Sequence, residues 1–561
     1  MVDPEGRFVL TYNGEIYNFE TLRIDLATQW KFRTEGDTEV LLAGLVLYGA
    51  PFLERVEGMW AFALWDGLER RLLASRDRFG EKPLYFCAAT SGTIVCGSEL
   101  PALTGLTSET AWTEDLDSTA DYFRYGFALP GRTAYSGIEE VLPGHFLEWS
   151  PAELPRQSCY WSLPDRPFAG TQTDGVMLLR ERLKDAVAPR LVADIEVGAM
   201  LSGGLDSTII VGLAAAAAPK RLKTFTMGFG DPSYDESKFA RLVSKRFGCE
   251  HHEDTLALDQ PEAIKHLLAK HMGQPFADPS LLPTALVARL ASRSVKVALT
   301  GDGGDELFCG YERYRARVIL RWYTRLPAAL RRRAAQLIES WPEPTAHHSG
   351  SLLKKAHLFL RQAERADRGA PYVAPELFEP ALFALIAPAL AGRGHVPPGL
   401  PKSTTLDGID AMMKADMLVY LPQDILQKTD RSAMAHSLEF RSPFLDRGVV
   451  ELAFSFPTKW HSGIRSGKSL LRRAFIDLVP TQVSRRGKQG FSVPVGAWFR
   501  SALGESLLAL LNLDPGPLNV YEVGRLLEDH RSCVRDHGLR LWAIYVYLLC
   551  RNREPRTQEP I

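Results

Sequence analysis

The chain has 561 residues, of which 45% are hydrophobic and 24% are charged, and its formal net charge is −1. This length predicts roughly two to four domains, and the composition is typical of a soluble globular protein. The near-neutral charge gives no indication of a nucleic-acid or acidic-membrane partner. No run reaches the roughly 18 apolar residues of a membrane span, and the opening sequence MVDPEGRF is not a signal peptide.

The seven cysteines are scattered, odd in number and without a C-x-x-C pair. This distribution argues against a disulfide framework or a zinc site and in favour of a reducing cytoplasm. We therefore expect a cytoplasmic protein with buried structural thiols. Its expected partners are small molecules, with neither nucleic acid nor a membrane among them, and a homodimer is left open.

Residues 1–105 contain short apolar runs separated by turns, which is typical of antiparallel β-structure with a few helices. The run at 7–12 leads into Asn13-Gly14, a dipeptide that predicts a hairpin turn. Residues 37–47 have helical spacing, and Asp37 is placed to cap this helix. The polar, proline-containing stretch 151–175 predicts an interdomain linker. It separates residues 1–150 from residues 176–550, which are followed by a polar tail at 551–561.

From about residue 176 the pattern changes to strands that alternate with helices. Strand-like runs at 195–201, 222–229 and 295–300 are separated by helical stretches, among them 209–218 and 281–291. This alternation predicts a parallel, doubly wound sheet with ligands bound at the carboxyl ends of its strands.

The first of these strands ends in a glycine-rich turn. The turn and the helix start after it read Ser202-Gly203-Gly204-Leu205-Asp206-Ser207. Glycines let backbone N–H groups approach a phosphate closely, and a helix N-terminus adds unpaired donors and a positive dipole. Ser202, Ser207 and Thr208 can add hydroxyl donors, and Asp206 can hold a metal ion. An ordinary turn between strand and helix is the alternative interpretation.

The third strand ends in a glycine-rich acidic turn. Its sequence is Thr300-Gly301-Asp302-Gly303-Gly304-Asp305-Glu306. Carboxylates at the carboxyl end of a strand suit Mg²⁺, a hard cation that prefers oxygen ligands and substrate phosphates. The alternatives are a solvated acidic turn and a calcium loop, and the D-x-D-x-D-G spacing of the latter is not met.

These motifs resemble a known family. The loop at 202–207 is similar to the pyrophosphate loop of the N-type ATP pyrophosphatases, which adenylate a substrate and release pyrophosphate. Ahead of it, four strings in order resemble the glutaminase domain of the glutamine-dependent asparagine synthetases, which are class II glutamine amidotransferases. The strings are Asn13-Gly14-Glu15-Ile16-Tyr17-Asn18, Gly36-Asp37-Thr38-Glu39, Arg76-Asp77-Arg78-Phe79-Gly80 and Gly97-Ser98-Glu99-Leu100.

The resemblance implies ATP and Mg²⁺ as ligands of the second domain. Asp206 and Asp305 would hold Mg²⁺ on the ATP phosphates, and Lys468 would stabilise charge on the α-phosphate and the adenylate. Asp302 lies where the family often has a glutamate that contacts substrate or ammonia. The implied ATP and pyrophosphate contacts are Leu201, Ser202, Gly203, Gly204, Asp206, Ser207, Met227, Thr300 and Gly301, with Leu201, Met227 and Gly301 at the adenosine. Lys488-Gln489-Gly490-Phe491 resembles a loop near the same pocket.

The resemblance also identifies remnants of a glutamine site. Asn13 and Gly14 match the oxyanion-hole positions, and Glu15 and Asp37 match the pair that binds the amino-acid head of glutamine. The family's nucleophile is an N-terminal cysteine, but residue 2 here is Val and the first cysteine is Cys87. We therefore expect this sequence to begin inside the glutaminase domain. Either the true start lies upstream, or the protein takes free ammonia or another amine.

The prediction is an asparagine-synthetase-type ligase with two domains. The first is an antiparallel, Ntn-type glutaminase-like remnant, and the second is a doubly wound parallel-sheet ATP pyrophosphatase domain with added helices, like the adenine nucleotide α-hydrolases. By resemblance, the aspartate side chain is adenylated, pyrophosphate is released and ammonia opens the adenylate to give asparagine. One alternative is a relative acting on another carboxylate, such as a β-lactam synthetase, a lasso-peptide cyclase or an enzyme that amidates a sugar or peptide. The other is a non-catalytic nucleotide-binding protein.

Overall fold

A computed structural model gives the architecture of the chain. It describes residues 1–89, 92–106, 112–218, 220–230, 235–256, 264, 266–341, 351–367, 372–398, 408–461, 467–485 and 493–552. Among these residues, no helix combines the length and the apolar character that a bilayer crossing requires.

Two antiparallel sheets build the first domain. The larger sheet has the order β1-β2-β3-β7-β8, and the smaller has the order β5-β4-β6. The strands are β1 Phe8–Ile16, β2 Gly58–Asp66, β3 Arg71–Arg76, β4 Tyr85–Ala89, β5 Thr93–Gly97, β6 Glu139–Glu140, β7 His145–Trp149 and β8 Arg156–Cys159. The helices are Phe19–Leu26, Asp37–Tyr48, Ala50–Glu54 (3-10), Leu100–Leu106 and Leu116–Tyr125. Ala74 and Leu147 of the larger sheet share a buried cluster with Phe86 of the smaller one, so the two sheets pack face to face.

The predicted hairpin turn at Asn13-Gly14 is wrong. Strand β1 continues through both residues, and they pair with Ala61 and Trp60 of β2. A Cβ atom on Gly14 would lie 2.1 Å from the carbonyl oxygen of Met59. Glycine is therefore required here by a close approach of two backbones, and not by a change of chain direction.

The predicted linker at 151–175 is also wrong in part. Residues 156–159 form β8, which pairs with β7 and extends the larger sheet of the first domain. At the other end, helix Gln172–Arg190 begins before residue 176, because Thr171 and Asp174 form a capping box. Tertiary pairing and side-chain capping thus give structure to both ends of a stretch whose composition is that of a linker.

The second domain is built on a five-stranded sheet in which every pair of neighbouring strands is parallel, as predicted. The order is β11-β10-β9-β12-β13. The strands are β9 Val197–Met200, β10 Lys223–Phe229, β11 Glu250–Leu256, β12 Val297–Leu299 and β13 Glu439–Arg441. The chain starts at the central strand β9, adds two strands on one side and then two on the other. The order therefore reverses between β9 and β12, where connections leave in opposite directions and open a crevice.

Helices surround this sheet and extend beyond it. Those before β13 are Gln172–Arg190, Leu205–Ala217, Ser237–Phe247, Leu268–Met272 (π), Leu281–Ser292, Gly304–Leu307, Glu312–Tyr323, Ala328–Glu339, Leu352–Asp367, Pro380–Ile386, Pro388–Leu390 (3-10), Ile409–Ala415, Asp416–Leu426 (π) and Gln427–Met434. Those after it are Pro443–Leu445 (3-10), Arg447–Ser455, Thr458–His461, Ser469–Ala474, Thr481–Ser484, Val495–Phe499, Ala502–Leu513, Val520–Arg531 and Gly538–Arg551.

Candidate functional site

The turn after β9 gathers donors at the start of a 13-residue helix, Leu205–Ala217. The hydroxyl oxygens of Ser202 and Ser207 lie 3.0 Å apart, and Ser202 Oγ accepts a hydrogen bond from the Gly204 N–H at 3.3 Å. Gly203 has a φ of +70°, and a Cβ atom on it would lie 2.6 Å from Phe239 Cβ. A left-handed glycine and a helix N-terminus together form a concave surface of N–H and O–H donors, which suits a phosphate group.

The acidic turn after β12 contacts this loop across the crevice. A Cβ atom on Gly301 would lie 3.1 Å from Asp206 Cβ, and one on Gly304 would lie 2.8 Å from Asp206 Cγ. The Thr300 hydroxyl donates to Asp302 Oδ2 at 2.8 Å and lies 2.9 Å from the Ser442 hydroxyl. The glycines that the sequence placed in this turn thus let the two loops meet.

A lysine from a distant segment joins the two loops. The Lys468 ammonium contacts the Asp206 carboxylate and lies 2.6 Å from Asp305 Oδ1. The Lys468 backbone has a φ of +59°, and its N–H donates to the Phe308 carbonyl at 3.0 Å. Burial alone would lower the pKa of Lys468, but the two carboxylates outweigh burial and raise it. The centre therefore holds one permanent cation between two carboxylates.

Gly310 makes this convergence sterically feasible. A Cβ atom on Gly310 would lie 1.7 Å from Asp305 Oδ1 and 2.2 Å from Lys468 Cε. The carboxylate and the lysine stem occupy the space that any other side chain would need. No motif marks this glycine in the sequence, although it follows the acidic turn by only a few residues.

A second group of buried charged residues, Asp278, Asp424 and Lys428, lies near Asp302. Burial raises the pKa of Asp302, and the Thr300 hydrogen bond and the Lys428 charge offset only part of that rise. Lys428 donates to Asp278 Oδ2 at 2.6 Å. Burial and the neighbouring Asp278 carboxylate raise the pKa of Asp424 to about 7. No motif indicated that these three residues meet, because Asp278 precedes Lys428 by 150 residues of chain.

The residues predicted at the adenosine lie at the ends of adjacent strands. Leu201 follows β9 and is 1% exposed, and its N–H donates to the Phe225 carbonyl at 2.9 Å. Met227 lies in β10 and is 5% exposed. Together with Gly301 they flank the loop at 202–207. Lys488, Gln489, Gly490 and Phe491, which were predicted near the same pocket, lie outside the described residues.

The predicted glutamine-site residues lie together at one end of β1. Asp37 Oδ2 accepts hydrogen bonds from the Tyr12 hydroxyl at 2.7 Å and from the Ile16 N–H at 3.0 Å. Glu15 forms a 3.0 Å ion pair with Arg441 of the second domain. Burial raises the pKa of Glu15 to about 7, although Arg441 opposes this rise. Glu15 thus connects the two domains, a role that no pattern in the sequence indicates.

Cys87, the first cysteine, lies in β4 of the smaller sheet. Burial raises the pKa of its thiol and raises the pKa of Cys96 to about 12. A raised pKa disfavours the thiolate, which is the nucleophilic form. Neither thiol has the activation that glutamine hydrolysis requires.

Comparisons with known proteins agree with this architecture. The family model described as asparagine synthase matches residues 178–550, and the model described as glutamine amidotransferase domain matches residues 1–161. A Mycobacterium tuberculosis protein that carries the name of a glutamine-hydrolyzing asparagine synthetase is 34% identical over 559 residues, covering 97% of this chain and 85% of the relative. Glutamine-hydrolyzing asparagine synthetase 1 of Bacillus subtilis is 30% identical over 548 residues, covering 96% and 84%. An amidase of Gibberella zeae is 26% identical, covering 88% and 78%.

The fold and the two family-model matches together define a two-domain protein, with an amidotransferase domain followed by a synthase domain. The asparagine synthase model matches more than half of the chain, and the Mycobacterium tuberculosis and Bacillus subtilis relatives are 34% and 30% identical to it over nearly its whole length. The chain therefore belongs to the asparagine synthase family. The predicted family and the predicted two-domain fold are therefore confirmed. The individual site residues remain predictions.

Proposed function

We propose that this protein is an ATP-dependent ligase that converts the side-chain carboxylate of aspartate into an amide through an acyl-adenylate. The observation that carries the proposal is the convergence of Asp206 and Asp305 on Lys468 beside the turn at 202–207. It combines a donor-rich anion site with one cation and two carboxylates, at the point where a parallel sheet of this order binds its ligand.

The donor set fits a magnesium–nucleotide complex. Two carboxylates that both reach one ammonium lie close enough to share a cation, and carboxylate and phosphate oxygens are the ligands that Mg²⁺ prefers. Asp206 and Asp305 would hold this ion, which would neutralise charge on the departing pyrophosphate. The hydroxyls of Ser202 and Ser207 and the N–H groups of the turn would bind the same pyrophosphate.

In the first step, a carboxylate oxygen of the substrate attacks the α-phosphorus, and the bond from that phosphorus to the bridging oxygen breaks. Pyrophosphate leaves with the bonding electron pair. Lys468 remains protonated because its pKa is raised. Once nucleotide phosphates occupy the loop at 202–207, the Lys468 ammonium can stabilise the α-phosphate oxygens in the transition state.

In the second step, the ammonia nitrogen attacks the acyl carbon, and AMP leaves. The nitrogen must then lose a proton. Asp302 is part of the acidic turn, and burial raises its pKa, so it is the side chain we assign to orient ammonia and to accept this proton. Lys428 limits the rise in the pKa of Asp302 and so keeps the carboxylate available.

The names of the Mycobacterium tuberculosis and Bacillus subtilis relatives describe them as glutamine-hydrolyzing, so glutamine is a candidate ammonia source here. Asn13, Gly14, Glu15 and Asp37 are the residues we assign to the glutamine site. Because Cys87 and Cys96 have raised pKa values, we assign neither as the nucleophile. We therefore expect synthesis with ammonia, and no hydrolysis of glutamine at Cys87 or Cys96.

The test is pyrophosphate release by the purified chain with ATP, Mg²⁺ and aspartate, supplied with either ammonium or glutamine. Asparagine is identified by its mass. We expect release and asparagine with ammonium, and loss of both in the variants Asp206→Asn and Asp305→Asn. Asparagine formed from glutamine would contradict the assignment of the nitrogen source. Pyrophosphate release that requires a carboxylate other than aspartate would refute aspartate as the substrate. ATP binding without any pyrophosphate release would refute the proposed ligase activity.

A further inference from the structure

A second cleft lies among the helices of the second domain and has a volume of about 620 Å³. One wall includes Tyr323, the last residue of helix Glu312–Tyr323, which begins two residues after Gly310. A 12-residue helix is about 18 Å long. The cleft is therefore separated from the centre at Lys468 by roughly the length of this helix, and the reaction proposed above does not use it.

The described lining of the cleft carries more positive than negative charge. Arg331, Arg332 and Arg535 line it. Within the described part of the chain, the guanidinium groups of Arg332 and Arg535 form no ion pair. Among the described lining residues the one carboxylate is that of Glu379, which accepts hydrogen bonds from Arg540 at 2.8 and 2.9 Å. Because Arg540 balances Glu379, the charges of Arg332 and Arg535 are left to attract an anion.

A buried imidazole adds a polar group to the same lining. His357 is 7% exposed, and its Nε2 has no hydrogen-bond partner among the residues that the structure describes. A buried polar atom without a partner is destabilising, and such atoms in native proteins are often satisfied by a ligand or water. Leu360 and Leu382 supply an apolar wall beside these groups.

We propose that this cleft binds a small organic anion with an apolar body. Arginine offers paired N–H donors that match the oxygens of a phosphate or a carboxylate. The head group would lie on Arg332 and Arg535, and the apolar body would pack on Leu360 and Leu382 beside the buried His357. This binding site goes beyond the ligase activity, and neither depends on the other.

The probe is phenyl phosphate, titrated into the full chain by calorimetry, with benzoate and inorganic phosphate as comparison ligands. We expect the double variant Arg332→Gln/Arg535→Gln to raise the Kd at least about tenfold, because two charge-assisted contacts are lost. Arg333→Gln is the matched control. It lies next to Arg332, is exposed and does not line the cleft, so its Kd should stay within about twofold of wild type.

Two further measurements separate this site from the nucleotide loop. Lys468→Ala should leave phenyl phosphate binding unchanged, and the double variant should retain wild-type pyrophosphate release, which also shows that it folds. Benzoate binding that the double variant weakens in the same way supports recognition of a carboxylate head group. Equal affinity for phenyl phosphate and inorganic phosphate would refute the role of the apolar wall. Binding that depends on Lys468, or that the double variant does not weaken, would overturn the proposal.

Discussion

Substituting Gly310 by alanine tests the central geometry most directly. The new Cβ atom would lie 1.7 Å from Asp305 Oδ1, whereas ordinary contact begins near 3.4 Å, so the carboxylate must retreat by about 3.4 − 1.7 = 1.7 Å. The Lys468 stem, with Cε at 2.2 Å from the same point, must move as well. Displacing a reacting group by about 1 Å costs on the order of 10²-fold in rate.

We therefore expect Gly310→Ala to lower kcat/KM for ATP by about 10²-fold or more, equivalent to about 2.7 kcal/mol. The assay is pyrophosphate release with aspartate and ammonium. The control is Gly524→Ala, within helix Val520–Arg531, where the added Cβ would meet no atom of the described residues within 4 Å apart from its chain neighbours and the adjacent backbone of its own helix. That change should stabilise the protein by about 0.5–1 kcal/mol and leave the rate unaltered. A Gly310→Ala rate within about threefold of wild type would show that Asp305 and Lys468 do not need this arrangement.

Two other predictions concern single charges. Lys468→Ala should reduce kcat for pyrophosphate release more than it raises KM for ATP, because the ammonium acts mainly on charge that develops in the transition state. The control is Lys459→Ala, which changes an exposed lysine. An unaltered kcat in Lys468→Ala would show that Lys468 is not part of the site. Asp424→Asn should flatten the pH dependence of stability. The folded protein keeps the Asp424 proton up to about pH 7, whereas the unfolded chain releases it near pH 3.8. The contribution of Asp424 to the free energy of unfolding of the wild type is therefore lost as the pH rises from 3.8 to about 7. Thermal unfolding at pH 5 and pH 8 measures the effect, and parallel Tm changes in both proteins would contradict the assigned pKa.

Much of the molecule could be predicted from the sequence because its signals are local. The alternation of apolar runs with helical stretches after residue 176 predicted the parallel sheet. Glycine-rich turns at 202–204 and 301–304 marked the ends of β9 and β12, since strand, tight turn and helix start follow one another within a few residues. Phosphate-binding chemistry depends on this local backbone geometry, and a motif can therefore reveal it.

Only the tertiary structure decided which distant groups meet. Lys468 contacts Asp206 across 262 residues of chain, a proximity that the family resemblance implied but no local pattern indicated, and Arg441 contacts Glu15 from the other domain. The Asn13-Gly14 dipeptide satisfied a turn rule, but pairing with β2 extended the strand through it. The composition of 156–159 indicated a linker, yet β7 offered an unpaired edge that β8 completes. Strand pairing and ion pairing depend on separation in space, and local sequence patterns carry no record of that separation.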